Sequence, residues 1–235
     1  MNSLDQLKKE LKSKENSQKA KLLRGFFKTG KGEYAEGDVF LGVMVPKTRE
    51  TAIKFYDLPL EDVEELLHSK IHEERLCALL LLVHNFKKGD EETKKEIYEF
   101  YLRNTEYINN WDLVDLSCHK IIGAWLADKD RRILYKLAKS KHLWEKRIAI
   151  ISTAYFIAQK DFEDTLKISE ILMNDKHDLI HKAVGWMLRE VGKKDFDAEN
   201  RFLQRHYKKM PRTMLRYAIE RFPESERKKY LDGSA

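Results

Sequence analysis

An indole and a carboxylate four residues apart open one helical stretch of the chain, Asn109-Asn110-Trp111-Asp112-Leu113-Val114-Asp115. That spacing puts Trp111 and Asp115 on one helical face, one turn apart. A second indole follows in Lys182-Ala183-Val184-Gly185-Trp186-Met187-Leu188-Arg189, and between the two lies Leu143-Trp144-Glu145-Lys146-Arg147. A carboxylate with aromatic faces beside it suits a substrate that develops positive charge, since indole faces attract cations by about 0.5–2 kcal/mol each. Arg147, Lys182 and Arg189 supply cations that suit phosphates of the same substrate.

Each residue alone is weak evidence. A tryptophan on a helix is usually core, because it carries a large apolar area, and Trp125 and Trp144 are read that way. Asp115 alone reads as an ion-pair partner, and Arg147 alone as a surface charge. What gathers them is a repeat. The segments Leu76-Cys77-Ala78-Leu79, Leu113-Val114-Asp115-Leu116, Ile148-Ala149-Ile150-Ile151 and Ala183-Val184-Gly185-Trp186 recur at 35 to 37 residues, and Leu215-Arg216-Tyr217-Ala218 continues the series less regularly. Helix pairs at this period describe an all-α solenoid of HEAT-like repeats forming a concave crescent. If the first helix of each pair lines the inner wall, Trp111, Asp115, Arg147, Lys182, Trp186 and Arg189 converge on one groove.

Apolar residues follow the helical period nearly throughout, including two long stretches, Asp112 to Ala127 and Leu143 to Ala158. The exception is Thr29-Gly30-Lys31-Gly32-Glu33-Tyr34-Ala35-Glu36-Gly37-Asp38, whose three glycines mark a loop. The 235 residues read as a single domain, with basic N-terminal helices over 1–31 and a repeat body over 32–235. Only 4 prolines and 10 glycines, with 42% hydrophobic and 36% charged residues, favour a helical globular protein over a sandwich or a disordered chain. No apolar run approaches the roughly 20 residues of a membrane helix, and Met1-Asn2-Ser3-Leu4-Asp5-Gln6 lacks the apolar stretch of a secretion signal. Cys77 and Cys118, each inside a helical stretch, read as reduced packing thiols of a cytoplasmic protein.

Net charge is +6, and its distribution is uneven. Residues 1–31 hold nine basic side chains, Lys28 among them, against three acidic ones; residues 201–221 hold seven, including Arg212, against Glu220. Basic ends around an acidic middle fit a clamp on a polyanion, and also fit nothing more than lysine-rich helices in water. The chemistry favours the first reading. A purine alkylated at N3 or N7 is already cationic and leaves as a neutral base. The sugar left behind becomes oxocarbenium-like, as in glycoside hydrolysis generally. One carboxylate near the anomeric carbon stabilises that charge and orients water.

The runs Asn110-Trp111-Asp112-Leu113-Val114-Asp115, Leu143-Trp144-Glu145-Lys146-Arg147 and Ala183-Val184-Gly185-Trp186-Met187-Leu188-Arg189-Glu190 resemble segments of the AlkD-like DNA alkylation repair glycosylases. So do Gly37-Asp38-Val39-Phe40-Leu41-Gly42-Val43 and Met210-Pro211-Arg212-Thr213-Met214-Leu215-Arg216-Tyr217, and the resemblance spans nearly the whole chain in order. It implies a HEAT-like crescent that removes cationic N3- and N7-alkylpurines from double-stranded DNA without a metal or organic cofactor. A solenoid with a DNA-facing wall needs no second subunit, so a monomer in the cytoplasm or nucleoid is expected. The family's catalytic aspartate matches Asp115, its site tryptophans Trp111 and Trp186, and its central phosphate-contacting arginine Arg147. Lys182, Arg189, Lys28 and Arg212 are the further DNA-binding expectations. A family tyrosine near the N-terminal helices falls at Phe26 or Phe27, and the glycine-rich loop is longer than in the best-known members. The family is understood to hold its lesion by the backbone with the base left in the stack, in contrast to base-flipping glycosylases.

Two alternatives stand beside this reading. A non-catalytic HEAT-repeat DNA binder or scaffold explains fold and charge equally well. A metal-dependent hydrolase would use His68 with His72, or His177 with His181, each pair at i,i+4. Neither pair forms a His-Glu-x-x-His motif, and helix-end histidines near solvent are the simpler reading.

Overall fold

The computed structural model describes residues 3–235, and they are helical with a single isolated parallel bridge, Val39 to Ile71. Met1 and Asn2, part of the N-terminal segment read above, lie outside the described residues. The chain divides into two compact units, one ending at Ser117 and the other spanning Cys118–Ala235.

In the first unit α1 (Ser3–Ser13) buries Leu4, Leu7 and Leu11, one apolar stripe at helical spacing. After α2 (Ser17–Phe26) and α3 (Val45–Lys54) come α4 (Leu60–Leu67), α5 (His72–Lys88), α6 (Glu91–Arg103) and α7 (Trp111–Cys118). The carboxamide of Asn16 accepts from Lys19 N at 2.9 Å and caps α2. Asp90 caps α6 in the same way through Thr93 N. Helix α5 forms the centre, packing against α3, α4 and α6, and the run Leu76 to Leu82 is buried on every side. Such a helix shows little amphipathic period, because nothing around it is solvent.

The second unit runs α8 (Arg132–Ala138), α9 (Leu143–Ser152), α10 (Ala154–Ala158), α11 (Glu163–Leu172), α12 (Asp178–Lys194), α13 (Phe196–His206), α14 (Arg212–Ala218) and α15 (Glu224–Asp232). Here α9 packs on α12 and α12 on α14, so the repeat segments Ile148–Ile151, Ala183–Trp186 and Leu215–Ala218 fall on successive stacked helices. Helices α11 and α13 form the second layer against α12. This is the HEAT-like helix-pair repeat expected from the 35-residue period. The α12–α14 packing is close: a Cβ at Gly185 would lie 2.4 Å from the Met214 carbonyl oxygen and 2.6 Å from Tyr217 Cβ.

Two long stretches differ from their expected continuity. The stretch from Asp112 to Ala127 is α7 followed by a π-helical turn, His119–Gly123, which interrupts the regular α-helical ladder. The stretch from Leu143 to Ala158 breaks at Thr153, whose hydroxyl donates to the Ile150 carbonyl at 2.7 Å. A β-branched hydroxyl residue bonding back to the preceding turn competes with the helical ladder at this point. Cys77 and Cys118 are buried, and burial pushes the Cys77 thiol up to about 12.

Candidate functional site

The first turn of α7 is built by groups from three other places in the first unit. One is the segment Asp38–Val43, an extended strut. Glu73, at the start of α5, accepts the backbone N–H groups of Leu41, Gly42 and Val43 at 2.9, 2.7 and 3.2 Å. Val39 N donates to Lys70 O and His72 N to Val39 O, which closes the bridge. Gly42 takes φ +84, and a Cβ there would lie 2.2 Å from the Asn16 carbonyl, so this position requires glycine twice over. The strut holds Asp38 and Phe40 in place.

His72 is the second contributor. Its Nε2 lies 2.8 Å from Asp112 Oδ2 and its Nδ1 3.3 Å from Asp38 Oδ2. Arg75 closes the group, 2.7 Å from Asp38 Oδ2, with a further bond to the Ser69 carbonyl. Burial works against the imidazolium, but Asp112 and Asp38 outweigh it, and His72 rises to about 8. Burial likewise opposes the Asp38 charge, and the bond from His72 and the nearby Arg75 hold its carboxyl below the ordinary value. His72 is therefore not the solvent-side helix-end residue expected: it is 2% exposed. His68 is exposed, and His177 and His181 are half-buried. His177 Nδ1 accepts from Leu179 N and His181 Nε2 lies 2.5 Å from the Asp175 carbonyl, both local helix-start contacts.

The third contributor is aromatic. Phe27, just past α2, stacks on the Trp111 indole with centroids 5.1 Å apart and planes at 15°. Phe40 stacks on the other side of Phe27 at 5.1 Å. Phe26 meets the indole edge-on at 5.8 Å and is itself 64% exposed. The two phenylalanines thus have different tasks: Phe27 is a buried spacer, and Phe26 presents an aromatic ring to solvent. Asn110 accepts from Trp111 N at 2.8 Å and fixes the backbone. The result is a half-buried indole with one face covered. Asp115 follows one turn later, half-buried on the same helix. An acceptor one turn from a clamped π-face can stabilise a cation and orient water.

In the second unit Trp186 is half-buried on α12, and its Nε1 donates to Glu190 Oε1 at 3.0 Å. Glu190 also accepts from Lys193. Lys182 pairs with Asp178 at 2.7 Å, and Arg189 pairs with Glu220. Arg147 is buried, and its guanidinium donates to the Leu179 carbonyl at 2.6 Å, at the first turn of α12. Arg212 is exposed and donates to the Leu231 carbonyl. Lys28, in the first unit, is exposed with φ 55. Helix α2 before it carries exposed Lys19, Lys21 and Arg24 and no acidic residue. Trp144 is buried as expected. Sequence reasoning did not identify His72, Asp38, Asp112 or Glu73. The one available signal was the run of titratable residues, His72 to Arg75, at the head of the most apolar helix.

A family model described as DNA alkylation repair enzyme matches residues 7–222. Among solved structures, a predicted DNA alkylation repair enzyme from Enterococcus faecalis shares the fold, with a TM-score of 0.68 at 16% identity over 90% of this chain and 98% of that one. No curated protein matches the sequence.

Proposed function

Because the chain belongs to the DNA alkylation repair enzyme family, we propose that it is a monofunctional DNA glycosylase for cationic N3- and N7-alkylated purines in duplex DNA. Water adds to the anomeric carbon as the carbon–nitrogen bond breaks. The bonding pair goes to the base, which loses its positive charge, and the water proton passes to solvent. An abasic site remains. Asp115 stabilises the oxocarbenium-like sugar and orients the water, and Trp111 offers it an indole face. Trp186 is assigned the second indole from its segment's resemblance and repeat position.

The observation that carries this reading is the clamp on Trp111. The indole is stacked on Phe27, meets Phe26 edge-on and stays half-buried, one helical turn from a half-buried carboxylate. Phosphate contacts are assigned to Lys28, Lys182, Arg189 and Arg212. Lys182 exchanges Asp178 for phosphate at small cost, as a solvent-facing pair, and Arg189, more buried, exchanges Glu220. Arg147 bears on DNA through α12, whose first turn it holds. The enzyme needs neither metal nor organic cofactor for this reaction, acts as a monomer, and belongs with cytoplasmic or nucleoid DNA.

The test is base release from methylated duplex DNA by wild type and Asp115→Asn. The variant should lose at least about 100-fold in excision, the scale of removing one preorganised electrostatic group, with DNA affinity kept. Equal loss of binding would make Asp115 structural. No release by either protein would leave a non-catalytic DNA binder.

A further inference from the structure

The hydrogen bonds around His72 determine its protonation by acceptor count. Both ring nitrogens face carboxylate oxygens, Asp112 Oδ2 at 2.8 Å and Asp38 Oδ2 at 3.3 Å. A neutral imidazole donates through one nitrogen and an imidazolium through both. The ring is also stacked, 4.5 Å from Phe40 and 5.0 Å from Phe27, and Phe27 is the ring that stacks on Trp111. One residue therefore touches both supports of the α7 first turn, the Asp112 side chain and the aromatic column beneath the indole.

We propose that doubly protonated His72 is a positioning residue for Trp111 and Asp115, and that losing its second proton loosens the start of α7 and ends activity on the alkaline side. The inference rests on the glycosylase reading for its activity arm alone. Deprotonation leaves one nitrogen lone pair facing a buried carboxylate, which is repulsive in a site this dry. The groups around the ring are few. Asp112 comes from α7, Asp38 from the strut, and Arg75 and Glu73 from α5, with Glu73 committed to the Leu41–Val43 amides. Asn110 adds a neutral bond to Asp38 at 3.4 Å. Phe40 stacks on the ring and Phe27 packs against it at a tilt. Against burial, Asp112 and Asp38 hold the His72 proton to about pH 8, above the 6.5 of an ordinary histidine.

The experiment is a pH titration from about 6 to 10 with three readouts. Ring nitrogen NMR follows His72, the fluorescence difference between wild type and Trp111→Phe follows the indole, and base release from methylated duplex follows activity. The three midpoints should coincide near 8. In Asp112→Asn, which keeps an acceptor oxygen but removes a charge, all three should move to lower pH together, by a factor of about 10 in proton concentration. Asp38→Asn should do the same where Asp112→Asn fails to fold. A Trp111 signal flat across the His72 titration overturns the proposal, as does activity that falls while the indole does not respond. An indole signal that follows His72 with no base release at any pH supports the proton's hold on α7 and overturns the glycosylase reading instead.

Discussion

Glu199→Gln should make the protein's stability markedly less sensitive to pH. Glu199 lies in α13 at 2% exposure, and its Oε1 has no hydrogen-bond partner among the described residues. Its carboxyl fits against α12 only because position 192 is glycine: a Cβ there would come within 1.7 Å of Oε2. Burial raises the carboxyl to about 8 from the ordinary 4.5; Arg189 pulls it down and Glu190 adds to the rise. The folded protein therefore binds this proton more tightly than the unfolded chain. Stability is greatest below the unfolded value and falls as pH rises towards the folded one, by about 1.4 kcal/mol per pH unit inside that window. Between about pH 5.5 and about pH 7.5 wild type should lose roughly 3 kcal/mol from this group. The amide variant keeps the shape and has no proton to lose, and His72 contributes equally to both proteins. Urea unfolding at the two pH values, monitored by two probes to check for a single transition, gives the difference. A wild-type-minus-variant stability that stays constant between the two pH values would refute the reasoning.

Other residues give sharper local tests. Glu73→Gln presents a donor where a backbone N–H now points, and should cost about 2–3 kcal/mol in urea unfolding by leaving a buried amide unpaired. Gly185→Ala pushes a methyl group into the Met214 backbone, and should cost about 1–3 kcal/mol with a shift in Trp186 emission. Lys182→Ala should leave stability unchanged and reduce the salt slope of DNA binding by about 1, as loss of one phosphate contact does. Arg147→Ala should instead lower stability by about 1–3 kcal/mol, because a buried side chain and its charged bond to the Leu179 carbonyl are lost.

The sequence was most legible where one physical rule operates over many residues. Helical period and the recurrence of Ile148, Ala183 and Leu215 were enough for the helix-pair repeat of the second unit, since stacking requires each pair to bury the same stripe. It was less legible where a single hydrogen bond decides, as at Thr153, or where a short π-helical turn interrupts an α-helix. The indole–carboxylate pair could be read because both members share a helix. The network beneath it could not: Asp38, His72 and Asp112 are brought together across the first unit by the strut, and no local spacing encodes that. Charge was the least transferable signal. Summed along the chain, Lys182 and Arg189 look available to a polyanion, but folding gives them Asp178 and Glu220. The basic surface that survives folding most plainly is α2, where no acidic residue is within the helix to pair.

The central claim is that the chain breaks a glycosidic bond because the departing base already carries a positive charge. Single-turnover excision rates on matched duplexes, one carrying N7-methylguanine and one carrying hypoxanthine, test it most directly. The account predicts release of the cationic base that depends on Asp115, and negligible release of the uncharged one. Comparable release of both, or of the neutral base alone, would contradict it.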